Sequence, residues 1–277
     1  MTDMKLFVLD LGSMKMDRSL IVARTNLANI DQPTRPAEFV EFPVSAYLIE
    51  TSREKVLFDT GCNPQAMGKS GRWPQSFQKS YPYFGNEECQ LPNRLRQLGL
   101  GPDDIDVVVL SHMHNDHAGC VEFFGRSKLF CHSDEMSAAM RSYALHLDPT
   151  PYIWKDIDHW SRRKLDWYLI ERDEGDIPLL PGVTILNLGP GHSYGMLGLH
   201  VMLKRTGGII LASDALYCAE NYRDALNPPG VLIDSLGWEK TAKRIKWLEH
   251  GTGSEVWFGH DGRQFSGLKK STEGYYE

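Results

Sequence analysis

The sequence predicts an α/β fold, in which strands buried on both faces alternate with helices. Residues 107–110 form a continuous apolar run, mostly β-branched, which is typical of a strand inside a sheet. Comparable runs at 209–212 and 256–258 are each followed within two residues by polar side chains. Apolar residues at helical spacing occupy 91–98 and 238–249. Because loops at strand ends often carry function, the polar residues after these strands are candidates for a site.

The first third of the chain is expected to contain strands joined by long connections. Residues 62–90 are rich in Gly, Pro, Gln and aromatic side chains, and a connection of this length is usually functional or mobile. Whether they form a pocket wall or an interface stays open. The expected elements are strands at 6–9, 43–50 and 55–58, a hairpin turn at 51–54, and a loop at 12–17 that contains Met14 and Met16.

Helices and strands are expected to alternate along the rest of the chain. A helix beginning at Ser133 is favoured because serine is a common N-cap and two acidic residues follow it. Residues 146–170 contain three tryptophans and could form core, a pocket wall or an oligomer surface. The further expected elements are strands at 128–131, 183–188 and 198–203 and a helix at 133–145.

Composition argues against several classes of function. The chain has 277 residues with 30 Lys and Arg against 36 Asp and Glu, and it lacks the basic face of a nucleic-acid-binding protein. No stretch is apolar enough to span a membrane, and the N-terminal apolar run is too short for a signal peptide. Five cysteines without C-x-x-C spacing indicate free thiols. We therefore expect a cytoplasmic protein without nucleic-acid or membrane partners.

The strongest motif follows the strand at 107–110. It places His112, His114, Asp116 and His117 within six residues. Imidazole and carboxylate groups are ligands of zinc, iron, manganese and cobalt. The first two histidines can lean the same way and the last two residues can point to a neighbouring position, so the motif indicates two metals side by side. A solvated polar loop is the alternative, and four coordinating residues at this spacing argue against it.

This motif and three others resemble the metallo-β-lactamase superfamily. H-x-H-x-D-H followed by Ala-Gly resembles its signature, His192 in G-P-G-H-S its second histidine motif, Asp214 its bridging aspartate, and His260 in F-G-H-D its last histidine. The resemblance spans nearly the whole chain. It implies an αββα sandwich, with two central mixed β-sheets flanked by helices, as a single hydrolase domain over 1–277. Many members have Pro-Gly after the second histidine motif, whereas here Ser193-Tyr194-Gly195 follows His192, which affects the loop shape and not the ligand.

Two further segments narrow the resemblance. Asp214-Ala215-Leu216-Tyr217 and the opening K-L-F-V-L-D-L-G resemble the quorum-quenching N-acyl-homoserine lactonases. If 214–217 begin a helix, Tyr217 lies one turn on and faces the same cavity as the aspartate; a buried tyrosine with another partner is the alternative. Asp59, in a D-T-G element, could orient a ligand or make only a local turn bond.

The resemblance also implies a mechanism. The metal ligands it assigns are His112, His114 and His192 for one ion, Asp116, His117 and His260 for the other, and Asp214 between them. The two ions share a hydroxide, because they lower the pKa of water from ~16 towards ~7, and this hydroxide attacks the lactone carbonyl. Tyr217 stabilises the developing oxyanion, and Asp116 returns a proton to the leaving ring oxygen. Zinc is the expected metal, with cobalt, manganese or iron as alternatives.

The acyl chain of such a substrate needs an apolar groove. Methionine suits chains of varied length because it is flexible and polarizable. The residues expected to line this groove, each of which could instead be core, are Met14, Met16, Met67, Trp73 and Phe77, with Tyr217 beside the metals. Family resemblance also favours a homodimer. A thioesterase, β-lactamase or phosphodiesterase on the same site, or a non-catalytic metal-dependent binding protein, stays open as an alternative.

Overall fold

A computed structural model describes residues 3–148 and 150–277 of the chain. The strands in these ranges are β1 (Lys5–Asp17), β2 (Phe39–Glu50), β3 (Lys55–Phe58), β4 (Tyr83–Phe84), β5 (Val107–Val109), β6 (Lys128–His132), β7 (Asp166–Ile170), β8 (Ile177–Leu180), β9 (Val183–Gly189), β10 (Met196–Leu203), β11 (Gly207–Ser213) and β12 (Glu255–Phe258). The helices are α1 (Arg18–Ile21), α2 (Gln75–Ser80), α3 (Leu91–Gln97), α4 (Ser133–Leu145), α5 (Trp154–Ser161), α6 (Ser235–Thr252) and α7 (Gly262–Gly267).

Over the described residues, these strands form two mixed sheets. The first sheet has the order β4-β1-β2-β3-β5-β6-β7, and the second has the order β12-β11-β10-β9-β8. Neighbours from β1 to β3 are antiparallel, whereas β3, β5, β6 and β7 run parallel. Parallel strands need crossover connections, and α3 and α4 lie in two of these connections.

The two sheets pack face to face, and helices cover their outer faces. Leu6 and Val8 of β1 lie in the apolar layer between the sheets, while Phe7 lies on the side covered by α3, α4 and α5. Val109 of the first sheet and Leu199 of the second share the central layer. Helix α6 covers the outer face of the second sheet. The order helix, sheet, sheet, helix confirms the predicted αββα sandwich.

The expected loop at 12–17 is wrong, because β1 continues through these residues to Asp17. Its register with β2 shifts once around Gly12, which has a φ of 94°. A Cβ at this position would lie 2.6 Å from the backbone oxygen of Phe84, so glycine lets the strand bend past β4. The two methionines of the segment therefore lie two residues apart on one face of a strand.

The other expected elements differ from the structure mainly at their ends. The hairpin of β2 and β3 is confirmed, and so are the helices at α3, α4 and α6. Helix α4 is capped by His132 rather than Ser133, and α6 extends beyond the expected 238–249 at both ends. Ile157 and Trp160 of α5 are core residues. No helix among residues 3–148 and 150–277 has the length and apolar character that crossing a bilayer requires.

Candidate metal centre

The seven side chains with metal-ligand chemistry meet at one edge of the two sheets. The loop after β5 carries four of them, the loop between β9 and β10 carries His192, and the residues after β11 and β12 carry Asp214 and His260. All seven are at most 7 % exposed. Both sheets therefore contribute to one buried polar cluster.

Three histidines form one group of ligand atoms beside Asp214. His192 Nε2 lies 3.0 Å from His114 Nδ1 and 3.4 Å from Asp214 Oδ2. His112 Nε2 lies 3.7 Å from the same carboxylate oxygen. Since the three histidine nitrogens all lie within 4.8 Å of one another, a single ion could contact all of them.

A second group lies on the other side of Asp214. His260 Nε2 and His117 Nε2 lie 3.0 Å and 3.2 Å from Asp214 Oδ1, the oxygen that the first group does not approach. Both nitrogens also lie 3.5 Å from Asp116 Oδ2. Asp214 thus presents one oxygen to each group.

Backbone oxygens hold the outer nitrogens of two of these histidines. His192 Nδ1 lies 3.2 Å from the backbone oxygen of Val231, and His260 Nδ1 lies 2.9 Å from that of Pro43. A carbonyl oxygen only accepts, so each Nδ1 donates its proton outward. Each Nε2 then presents a lone pair to the cluster, as a metal ligand requires.

Asp59 holds the loop that carries the other ligands. Its Oδ2 lies 2.9 Å from His117 Nδ1 and accepts a 2.8 Å bond from Ser111 Oγ, while its Oδ1 accepts a 2.7 Å bond from Ser111 N. Ser111 Oγ also lies 2.9 Å from His112 Nδ1. Asp59 could orient a ligand or make only a local turn bond, and the structure shows it in contact with His117, a histidine of the cluster.

Divalent cations fit this cluster. Four of its buried atoms have no hydrogen-bond partner in the part of the chain that the structure describes, namely His112 Nε2, His117 Nε2, His260 Nε2 and Asp214 Oδ1. Leaving such atoms unsatisfied costs free energy, and cations between the two groups would satisfy all of them. Imidazole and carboxylate donors suit zinc, cobalt, manganese and iron.

The electrostatics of the cluster favour the same interpretation. Burial lowers the pKa of His112, His114 and His192, so these imidazoles are neutral at pH 7. Burial alone would raise the pKa of Asp214, but the imidazoles of His260 and His117 hold it well below its usual range. Neutral imidazoles and an ionised carboxylate are the protonation states that bind metal, and the first group already has them. Against the effect of burial, the carboxylates of Asp214 and Asp116 raise the pKa of His117 and His260, so these two imidazoles would release protons when a cation binds.

A cavity of about 170 Å³ opens onto the cluster. Met14, Met16 and Phe77 form an apolar wall, as expected of the groove. The other two expected residues are not among the described residues that line this cavity. Trp73 is 1 % exposed and packs edge-on against Phe77, with ring centroids 5.5 Å apart, and Met67 packs against the same core. Trp73 therefore lies behind the wall.

Tyr217 reaches the cavity from a turn, so the expected helix at 214–217 is wrong. Ser213 has a φ of 47°, and Leu216 N donates to its backbone oxygen, which reverses the chain. The Tyr217 hydroxyl lies 3.2 Å from His192 Nδ1 and faces the cavity. Burial raises the pKa of Tyr217 well above its ordinary value, so the phenol stays protonated and can donate.

Sequence reasoning missed three buried polar residues beside the cluster, namely Glu135, Tyr152 and Ser193. Glu135 was interpreted only as an acidic residue in the first turn of a helix, a position that the helix dipole favours. The one available signal was the segment Ser193-Tyr194-Gly195, which departs from the Pro-Gly of many members and places a hydroxyl next to His192. Tyr152 lies in a segment without periodicity, and nothing in the sequence marks it.

Comparison with known proteins gives consistent matches. Residues 40–246 match the model of the metallo-beta-lactamase superfamily. N-acyl homoserine lactonase AiiB of Agrobacterium fabrum is 49 % identical over 273 residues, which cover 99 % of both chains. N-acyl homoserine lactonase AiiA of Bacillus thuringiensis subsp. kurstaki is 29 % identical over 263 residues, which cover 94 % of both.

Solved structures match along the full length as well. A structure of N-acyl homoserine lactone hydrolase, with the product N-hexanoyl-L-homoserine bound at its catalytic metal center, superimposes with a TM-score of 0.81 at 28 % identity. That match covers 99 % of this chain and 100 % of the other. A mutant of B. thuringiensis AiiA, with N-decanoyl-L-homoserine bound at its active site, gives the same TM-score of 0.81 and the same 28 % identity.

Proposed function

The chain belongs to the metallo-β-lactamase superfamily and, within it, to the N-acyl homoserine lactonases, and from this membership we propose that it opens the lactone ring of N-acyl-homoserine lactones. The product is the corresponding N-acyl-homoserine, so the activity would quench quorum signals. The observation that carries the proposal is a cavity with an apolar wall on one side and five of the seven side chains with metal-ligand chemistry in its lining. This combination suits a small polar ring with an apolar tail.

The two groups of ligand atoms would hold two divalent cations. The proposed ligands are His112, His114 and His192 for one, Asp116, His117 and His260 for the other, and Asp214 for both. When bound, the cations polarise a carbonyl group and lower the pKa of water from ~16 towards ~7. Zinc is the proposed ion, and cobalt, manganese and iron suit the same donors. Elemental analysis of purified protein would identify it.

Two side chains would act on the substrate directly. The protonated Tyr217 hydroxyl donates a hydrogen bond to the lactone carbonyl oxygen as negative charge develops there. Asp116, which lines the cavity, accepts the proton lost by the attacking water and returns it to the departing ring oxygen. The acyl chain lies along Met14, Met16 and Phe77, away from the ligand cluster.

We also propose a homodimer in the cytoplasm. The five cysteines are all free, which suits a reducing compartment. Resemblance to the family is what supports the dimer. Sedimentation equilibrium of the full chain would give its mass directly, and a single species of 31.4 kDa would contradict the dimer.

The function is tested by hydrolysis of N-hexanoyl-homoserine lactone before and after chelation. We expect ring opening to release protons in the untreated protein. Proton release should stop when the chelator removes the metals, and it should resume when zinc is added. Asp214→Asn keeps the side-chain size and should lose bound metal and activity together, by at least ~100-fold in activity, because the amide replaces one of the two oxygens and removes the negative charge that lies between the two groups.

Three further substrates distinguish the alternatives. A cephalosporin, a glutathione thioester and a phosphodiester would be tested beside the lactone at equal concentration. If any of them were turned over faster than the lactone, the protein would be assigned that activity instead of lactonase activity. Bound metal without hydrolysis of any substrate would instead indicate a binding protein.

A further inference from the structure

Glu135 is a buried carboxylate that no step above uses. It lies in the first turn of α4 and has 0 % exposure. Burial raises the pKa of Glu135, and hydrogen bonds from Ser193, Met113, Tyr152 and Gly195 offset this cost. Its Oε1 accepts from Met113 N at 2.9 Å and from the Tyr152 hydroxyl at 3.0 Å. Its Oε2 accepts from Ser193 Oγ at 2.6 Å and from Gly195 N at 3.3 Å.

These bonds connect the two loops that supply one proposed metal site. Met113 stands between His112 and His114, and Ser193 directly follows His192. One carboxylate therefore fixes the position of both loops relative to each other. Helix α4 itself supplies no proposed ligand, so nothing else at the site explains why an acid is buried there.

Ser193 extends the contact to a ligand histidine. Its Oγ lies 3.5 Å from His114 Nε2, while His114 Nδ1 is the nitrogen that lies 3.0 Å from His192. Ser193 gives its own proton to Glu135, and its oxygen has two lone pairs. One faces the Tyr152 hydroxyl at 2.9 Å, and the other can accept from His114 Nε2. That bond would leave the Nδ1 lone pair directed at the metal position. The Tyr152 ring packs against His114 with centroids 5.2 Å apart and restricts its rotation.

We propose that Glu135 is a positioning residue for the metal site of His112, His114 and His192, and that it acts through Ser193. The inference rests on the ligand set proposed above. The other site has its own supports, since Asp59 contacts His117 and the Pro43 backbone contacts His260. Replacing Glu135 should therefore weaken the binding of one ion and leave the binding of the other unchanged.

The test is metal retention by the metal-loaded protein, dialysed against graded chelator and analysed for zinc per chain. In Glu135→Gln the amide has one oxygen where the carboxylate had two. The two hydrogen-bond donors that face the replaced oxygen therefore lose their acceptor. We expect one of the two ions to be released at about 10- to 100-fold lower chelator strength, with the second retained as in wild type. Ser193→Ala, a smaller change, should do the same.

Three comparisons decide the result. Ser127→Ala removes a buried 2.6 Å bond to the Ile105 backbone at the opposite ends of β5 and β6, and it should retain both ions like wild type. Asp59→Asn should weaken binding of the other ion more than that of the first, because Asp59 contacts His117 directly and reaches His112 only through Ser111. The double variant with Glu135→Gln should bind both ions more weakly. The inference would be overturned if Glu135→Gln and Ser193→Ala retained both ions as wild type does. It would also be overturned if these variants released both ions at the same chelator strength.

The same experiment separates this inference from the ligand set. If Asp214→Asn retains both ions, the ligand set is wrong, whatever Glu135→Gln does. If Asp214→Asn loses them and Glu135→Gln behaves as wild type, only the role of Glu135 fails. Combining Glu135→Gln with Ser193→Ala should cost no more than the stronger single change, and an additive loss would overturn the route through Ser193.

Discussion

At the scale of single residues, Tyr217 lies where the cavity meets the ligand cluster. Its ring centroid is 5.2 Å from that of His192 and 5.1 Å from that of His260, so it contacts both proposed metal sites. Its hydroxyl is protonated and close to the place where a bound carbonyl would lie. A hydrogen-bond donor fixed in a buried site strengthens as charge develops on its partner, because no water screens it.

We therefore predict that Tyr217→Phe lowers kcat by about 10²- to 10³-fold, the usual cost of one oxyanion donor, while metal content stays unchanged. Steady-state kinetics with N-hexanoyl-homoserine lactone and zinc analysis would measure both. Tyr222→Phe is the matched control, since it removes a buried hydroxyl that donates to Glu249 away from the cavity. Full turnover in the Tyr217 variant would defeat the assigned role.

The residues that meet in the cluster could be predicted from the sequence, but the groups that hold them in place could not. The H-x-H-x-D-H motif is local, and its spacing after a strand already suggests its chemistry. The groups that orient the histidines include backbone oxygens of Val231 and Pro43, which any residue type could supply. Asp59 was found because it belongs to a motif, whereas Glu135 was missed because its partners lie in three other segments.

At the scale of elements, β1 determines the shape of the cavity. The polar residues of 12–17 suggested a loop, but alternating polar and apolar side chains suit a strand equally well, and the glycine at the bend concealed it. Local pattern located the strands and helices elsewhere because their apolar faces are buried. It failed at 214–217, where the positive φ of Ser213 turns the chain although the residues permit a helix.

The position of β1 predicts which side chains set chain-length preference. Met16 lines the cavity, so Met16→Ala should lengthen the groove and raise kcat/KM for dodecanoyl relative to butanoyl lactone by about tenfold, since each buried methylene contributes about 0.8 kcal/mol. Trp73 lies behind the wall, so Trp73→Ala should cost about 3–5 kcal/mol of stability with an unchanged preference profile. Kinetics over a series of acyl lengths and urea unfolding would test both, and the reverse pattern would show that the wall is assigned wrongly.

At the scale of the whole molecule, the two sheets depend on each other. The first sheet supplies four of the proposed ligand residues, the second supplies His192, Asp214 and His260, and one apolar layer lies between the sheets. Neither sheet alone could complete the cluster or cover its inner face. This arrangement supports the prediction that residues 1–277 form one domain, because separate halves would each expose a large apolar surface to water.

A single domain should unfold as one unit, whichever half is damaged. Two leucines with 0 % exposure lie on opposite sides of the first sheet. Leu199 lies in the layer between the sheets, and Leu95 lies on the buried face of α3, which covers the outer face of the first sheet. Replacing either by alanine should cost about 2–5 kcal/mol. In metal-loaded protein, hydrogen exchange at rising urea should show the same lowered midpoint for amides of β2 and of β10 in both variants, because the intact half cannot stay folded alone. If Leu95→Ala lowered the midpoint of β2 and left that of β10 unchanged, the halves would be independent units, and the shared apolar layer would be a contact between two domains.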